Sequence, residues 1–197
     1  MNQDQNSIEL LKIAANGEFN AIQKYQAFSK IAEEEGLPNI ALLFKSLVIG
    51  EQIHLKNHMQ ALKLQGIEFL PVKQDFKLGT TFENLKTAFE TELWEYNNLY
   101  KNLIKKIQKS KKYEEVEAAK LSFKWAKEVE KSHAEVIKMA IDDLQQQKDF
   151  HINKFWVCKV CGNLFISESG DRPIEVCPVC KHDIYFYIKV QKNQIGV

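Results

Sequence analysis

Residues 116–144 read VEAAKLSFKWAKEVEKSHAEVIKMAIDDL. Alternating steps of three and four through this stretch collect Val116, Ala119, Phe123, Ala126, Glu130, His133, Ile137, Ala140 and Leu144, one face of an α-helix. The face is apolar except at its centre, where Glu130 and His133 stand. A charge buried without a partner costs several kcal/mol, so this helix cannot simply turn its stripe into an oily core. The rest of the chain has to supply what the glutamate lacks.

Three further stretches carry the same contradiction. Residues 7–35 read as a helix with Ser7 as N-cap and Gly36-Leu37-Pro38 as the stop, and its stripe is Leu11, Ala15, Glu18, Ile22 and Tyr25. A second helix runs from Pro38 to Gln65, is ended by Gly66, and lines up Ile40, Leu43, Leu47, Glu51, His54, His58 and Ala61. The third starts at a capping-box pair, Thr80 and Glu83, runs to about residue 109, and presents Leu85, Ala88, Glu92, Glu95 and Leu99. Lys109-Ser110-Lys111-Lys112 parts it from the fourth helix, which reaches about Gln147. Residues 67–79, with Pro71, suit a crossover connection. The expected fold over residues 1–148 is an all-α four-helix bundle. Its halves echo one another: a lone glutamate precedes a Glu-x-x-His, first Glu18 with Glu51 and His54, then Glu92 with Glu130 and His133. One helix pair repeated twice gives an approximate internal two-fold.

Five glutamates and two histidines thus point into one interior, and no Lys or Arg shares their stripes near them. Two divalent cations would bring five carboxylates within one charge of balance. A glutamate from each of two helices with Glu-x-x-His from the other two is the di-iron carboxylate arrangement of ferritin-like bundles. With 19 Glu and 5 His in the chain, one Glu-x-x-His carries little weight alone. The weight lies in all four stripes bearing carboxylates. His58, a full turn beyond His54, reads as a satisfied core or edge histidine rather than a ligand. Tyr25 and Tyr100 lie one to two turns past core glutamates, where a phenol could hydrogen-bond a ligand carboxylate or simply pack.

The texture changes past Asp149. Residues 154–197 hold short β-branched and aromatic runs, Gly162, Gly170, Pro173, Pro178 and all four cysteines, and read as a small β-rich module stapled by a metal. Cys158-Lys-Val-Cys161 and Cys177-Pro-Val-Cys180 are two knuckles that together make a tetrahedral four-thiolate site. The spacing does not separate iron from zinc. Phe155, Trp156, Phe165, Tyr185, Phe186 and Tyr187 are candidates to shield it, and His182 is surplus to four thiolates.

A balance of 27 Lys+Arg against 26 Asp+Glu leaves no basic field for nucleic acid or an anionic membrane. No apolar run approaches the roughly 20 residues of a membrane-spanning helix, and the first thirty residues lack a signal-peptide pattern. Clustered cysteine pairs without a secretory signal suit reduced thiols, so a soluble cytoplasmic protein is expected.

Taken together these motifs resemble the rubrerythrins, a ferritin-like di-iron bundle followed by a rubredoxin-like domain, over essentially the whole chain. The resemblance rests on Gly17-Glu18 with Tyr25, Glu51-Gln-Ile-His54, Glu92-Leu-Trp-Glu95 leading to Tyr100, Glu130-Lys-Ser-His133 and the two knuckles, in the family's order. Lys181 departs from the glycine typical of simple rubredoxins after the last cysteine, and Asp183 from the family's frequent proline. By position, the resemblance implies that Glu18, Glu51, Glu92, Glu95, Glu130 and His133 ligate two irons, with His54 an exchangeable ligand that yields to Glu95 on oxidation. Cys158, Cys161, Cys177 and Cys180 would hold a single iron, with zinc the alternative. It further implies a non-haem peroxidase that protects against oxidative stress. Hydrogen peroxide would be the substrate, a reductase or separate rubredoxin the electron donor, and a head-to-tail homodimer the assembly, because a tail could lie too far from its own bundle. The rival readings are a ferroxidase and a non-enzymatic metal-binding protein with a zinc-ribbon tail.

Overall fold

The computed structural model describes residues 3–108 and 114–191. Helices α1 (Gln3–Glu34), α2 (Pro38–Leu64), α3 (Thr81–Trp94), α4 (Tyr100–Ile107) and α5 (Glu114–Gln145) form the bundle. A π-helical turn, Glu95–Leu99, joins α3 to α4, so the two make one continuous third bundle helix. α1 packs chiefly on α2, and α3 on α5. The lysine-rich break at 109–112 lies outside the described residues.

The stripes face inward as their period requires. Leu11, Ala15, Ile22, Ile40, Leu43, Leu47, Leu85, Ala88, Phe123, Ala126, Ile137 and Ala140 are buried, as is every stripe glutamate. Thr80 caps α3 through both hydrogen bonds of a capping box with Glu83. Gly36 and Gly66 close α1 and α2 with φ of +75° and +72°, a backbone that glycine adopts without a Cβ penalty. Two expectations need correction. Ser7 is no cap, because α1 begins at Gln3 and the Ser7 hydroxyl donates to Gln65 Oε1 at 2.8 Å. Leu99 lies at the edge of the core stripe, packed against it and not fully buried. The π turn inserts one residue, so the position one turn past Glu95 falls to Tyr100, fully buried, while Leu99 is half-buried.

The crossover between α2 and α3 has no regular structure of its own and is stapled to α1 by two asparagines. Asn16 Oδ1 accepts from Val72 N at 2.8 Å, and Asn20 Oδ1 accepts from Gln74 N at 2.8 Å. After α5 the chain is pinned again. The Asp149 carboxylate accepts from the backbone N–H groups of Asn39 and Ile40 at 2.8 and 3.1 Å, supplying the cap that Leu37 does not give α2. Phe150 follows it into the bundle core.

The tail forms a three-stranded antiparallel sheet in the order β2 (Leu164–Ile166), β1 (Phe155–Cys158), β3 (Tyr187–Lys189). All four residues of β1 are buried, because both its faces are covered. Phe155, Val157, Leu164 and Val190 join the bundle's core, while Trp156, Tyr187 and the cysteines pack with Val129 of α5. The tail therefore shares its hydrophobic core with the bundle. Among the described residues no helix is long and apolar enough to cross a membrane.

Candidate metal centres

The bundle brings Glu18 from α1, Glu51 and His54 from α2, Glu92 from α3, and Glu130 and His133 from α5 to one point, each essentially inaccessible to solvent. Their donor atoms form two overlapping quartets, each within 4.8 Å: Glu18, Glu51, His54 and Glu130, then Glu51, Glu92, Glu130 and His133. Glu51 and Glu130 belong to both, which is where bridging carboxylates belong. The imidazoles stack at 5.9 Å between ring centroids, as the internal two-fold expects.

Each histidine aims Nδ1 inward. His54 Nδ1 lies 2.8 Å from Glu51 Oε2 and 3.1 Å from Glu130 Oε1. His133 Nδ1 lies 3.2, 3.4 and 3.3 Å from Glu51, Glu92 and Glu130. Glu95 belongs to neither quartet. It sits beside them in the π turn, with Oε1 3.7 Å from where a Cβ on Gly17 would stand. This is the arrangement with His54 at the cluster and Glu95 withdrawn.

The electrostatics are those of a site built for cations. Burial, reinforced by the Glu51 charge, holds the Glu18 and Glu130 carboxyls well above the ordinary range, and burial with the Glu92 charge does the same for Glu95. Burial opposes a charged His54, yet the Glu51 charge and hydrogen bond raise it to about 9. Glu51 runs against its own burial and is pulled down by both imidazoles. The cluster holds protons where it would hold metal. Oxygens of Glu18, Glu51, Glu92, Glu95 and Glu130, and His133 Nδ1, are buried without a hydrogen-bond partner. Buried polar atoms are almost always paired, and two divalent ions at the quartets would satisfy all of these except Glu95, which stands outside both.

The tyrosines are carboxylate partners, crossed between the halves: Tyr25 donates to Glu92, and Tyr100 to Glu18. Tyr25 lies seven residues past Glu18 and Tyr100 eight past Glu92. The extra residue is the one the π turn absorbs. His58 is a buried, satisfied histidine, with Nδ1 3.0 Å from Ser122 Oγ and Nε2 2.9 Å from the Tyr100 hydroxyl. Burial, with the nearby His54 charge, pushes it down to about 3.

In the tail, Cys158 and Cys180 stand 3.6 Å apart and Cys161 and Cys177 3.5 Å apart, with no disulfide. A tetrahedron with metal–sulfur bonds of about 2.3 Å has edges of roughly 3.8 Å, so the four sulfurs fit one ion. Hydrogen bonds among them push the Cys161 and Cys180 thiols up and pull Cys158 and Cys177 down. The knuckles are matched: Gly162 N donates to Cys158 O at 2.8 Å and Lys181 N to Cys177 O at 2.9 Å, with φ of +86° and +62°. Of the expected aromatic shield only Trp156 and Tyr187 pack in the cluster of the sulfurs. Phe155 serves the bundle core, and Tyr185 is 74 % exposed. His182 hydrogen-bonds Cys180 O at 3.1 Å and packs on Trp125 and Phe186.

The two centres touch. His54 Nε2 lies 3.1 Å from the Cys161 carbonyl, and Asn57 Nδ2 donates to Val160 O at 2.9 Å. The carbonyl can only accept, so His54 carries its proton on Nε2 and leaves Nδ1 for the cluster. Gly50 and Gly162 allow the approach, since a Cβ on Gly162 would stand 2.8 Å from His54 Nε2 and 2.9 Å from Gly50 O. The tail thus reaches its own bundle. Neither Asn57 nor Gly50 was marked by the sequence stripes.

A four-helix bundle with paired Glu-x-x-His motifs around a two-metal carboxylate cluster, carrying a four-cysteine module against it, is a ferritin-like di-iron protein with a rubredoxin-like tail. Comparison with known proteins agrees. The family model described as "Rubrerythrin" matches residues 9–151, and that described as "Rubrerythrin, rubredoxin-like domain" matches residues 156–186. Rubrerythrin-2 of Clostridium acetobutylicum is 33% identical over 174 residues, covering 87% of this chain and 90% of that protein. Nigerythrin of Nitratidesulfovibrio vulgaris is 32% identical over 176 residues, covering 88% and 81%. A solved structure described as the fully reduced, all-ferrous state of nigerythrin superposes with a TM-score of 0.79 at 29% identity, covering 93% of this chain and 86% of that one. The chain belongs to the rubrerythrin family, whose members are oxidoreductases.

Proposed function

We propose that the protein reduces hydrogen peroxide to water, taking two electrons and two protons per peroxide, with electrons entering through the cysteine centre. The observation that carries this reading is the His54–Cys161 hydrogen bond, which joins the two clusters in one bonded path. Storing or oxidising iron needs no such wire. Glu18, Glu51, Glu92, Glu130, His54 and His133 would hold two irons, and Cys158, Cys161, Cys177 and Cys180 a third. Two ferrous ions held there would supply the two electrons, one each, and positive charge to attract the peroxide. Glu95 stands ready to take the place of His54, which stays tethered to Cys161 through its other nitrogen. Tyr25 and Tyr100 hold the lone glutamates in place, and complete burial keeps bulk water from the cluster. An external reductase or rubredoxin would reduce the tail. A head-to-tail homodimer would carry the same His54–Cys161 contact between two copies.

The test uses protein purified without oxygen. About three irons per chain, a ferric-thiolate colour, and its return when one equivalent of peroxide meets the reduced protein are expected. Cys161→Ser should abolish turnover with an electron donor while sparing one stoichiometric reaction with peroxide. Zinc in the tail, or a reduced bundle inert to peroxide, would overturn the reading in favour of a ferroxidase or a metal-binding protein.

A further inference from the structure

The internal two-fold is broken around one tyrosine. Tyr25 has Glu92 as its hydrogen-bond partner among the described residues, and its ring lies against Phe28 and Phe44. Tyr100, its counterpart, bonds Glu18 and also meets His58 Nε2 at 2.9 Å, with His58 Nδ1 3.0 Å from Ser122 Oγ. The repeat relates His58, four residues past His54, to Ile137, four past His133. It relates Ser122, eight residues before Glu130, to Leu43, eight before Glu51. Around Tyr100 each half therefore gives up one apolar core position, α2 for His58 and α5 for Ser122, to make a buried polar pair. Such a pair stabilises less than the hydrocarbon it displaces unless every bond is made.

We infer that His58, steered by Ser122, is a positioning residue that commits the Tyr100 hydroxyl proton to Glu18. This rests on the reading of Glu18 as a metal ligand. The proton inventory gives the direction. A carboxylate bound to metal can only accept, so Tyr100 donates its single proton to it. The Tyr100 oxygen facing His58 at 2.9 Å is then an acceptor, and Nε2 must carry hydrogen. A neutral imidazole protonated there has a bare Nδ1, so Ser122 turns its proton to Nδ1 rather than to the Ala119 carbonyl, 2.9 Å away. Serine, histidine and tyrosine thus donate in series toward Glu18. Without His58 the phenol oxygen loses its donor, and nothing but Glu18 itself fixes the phenol's rotation. Partners that orient a ligand are typically worth tenfold to a hundredfold in metal affinity.

The test is imidazole nitrogen NMR on the full chain loaded with zinc as a diamagnetic probe. The expected result is a neutral His58 with a protonated Nε2 and a bare Nδ1. His58→Leu should weaken zinc binding at the bundle by about tenfold or more, and His58→Gln, whose amide N–H can stand where Nε2–H stood, should restore most of it. His58 protonated at Nδ1, or a leucine variant that binds zinc as tightly as the parent, overturns the inference alone. A glutamine variant no better than leucine overturns it too, because shape and not the donated proton would then matter. A bundle that takes up no zinc overturns the ligand reading and this inference with it.

Discussion

Gly162→Ala tests the junction between the two centres at its tightest point. Gly162 has φ of +86°, and an added Cβ would stand 2.8 Å from His54 Nε2 and 2.9 Å from Gly50 O. The contact at Gly50 is with helix backbone, which cannot give way as a flexible side chain does. Ordinary contact needs a separation of about 3.5 Å, so the knuckle must retreat by roughly 0.6 Å. That takes the 3.1 Å bond between His54 and Cys161 past the limit of useful geometry. The left-handed backbone costs a residue with a Cβ about 1 kcal/mol, and the lost hydrogen bond about 1 kcal/mol more. A loss of about 2 kcal/mol lowers the equilibrium constant for the docked knuckle roughly thirtyfold. The assay mixes fully reduced protein with one equivalent of peroxide and follows the ferric-thiolate colour of the tail. Peroxide should disappear at the parental rate while the colour returns at least tenfold more slowly. Gly170→Ala is the control: φ there is +85°, but its Cβ meets only the Lys154 side chain. Parental kinetics in Gly162→Ala, or equal slowing in both variants, would refute the reasoning.

Three further outcomes follow from the geometry. Metal-free protein should melt at lower temperature as pH rises from 6.5 toward 9. His54, raised to about 9, contributes stability that is complete below its ordinary 6.5 and lost as pH rises through the higher value. The raised Glu18, Glu95 and Glu130 act with the same sign above the usual carboxylate range, whereas the depressed His58 acts oppositely only below 6.5. Calorimetry of chelated protein showing a rise over that range would contradict the assignment of these groups. Lys181→Gly should stabilise the tail by up to about 1 kcal/mol, because φ of +62° penalises lysine and not glycine; denaturation followed at the tail chromophore reads it, and a loss of stability would count against the strain. Asp149→Ala should cost about 1 to 2 kcal/mol by uncapping α2, seen as a lower melting temperature; an unchanged value would show that the cap is idle.

The carboxylate cluster was legible because helical period assigns residues to faces and charge balance then demands cations. Glu18, Glu51, Glu92, Glu130 and His133 needed nothing from tertiary structure. The π turn was harder, since no residue in Glu95–Leu99 marks it, and uniform stepping put Leu99 where Tyr100 lies. Its trace was present all the same, in the spacing of seven from Glu18 to Tyr25 against eight from Glu92 to Tyr100. Reading the internal repeat residue by residue exposes the insertion. The division of the tail aromatics had no such trace. β1 is buried on both faces, so alternation could not say that Phe155 faces the bundle and Trp156 the sulfurs.

The docking of the tail was illegible for a different reason: it is made by backbone and by small residues. The Cys161 carbonyl, the Val160 carbonyl and the two glycines carry no side-chain signal, and Asn57 looks like any polar residue next to a core stripe. What sets the tail's position is a short anchored linker. Asp149 caps α2 and Phe150 is buried in the bundle core a few residues before β1 begins, so the tail starts within reach of α2 of its own chain. The expectation that a tail could lie too far from its own bundle counted the separation of two domains and not the path of the chain between them. The contact between the two centres within one chain thus follows from the path of the linker and not from any side-chain signal in the tail.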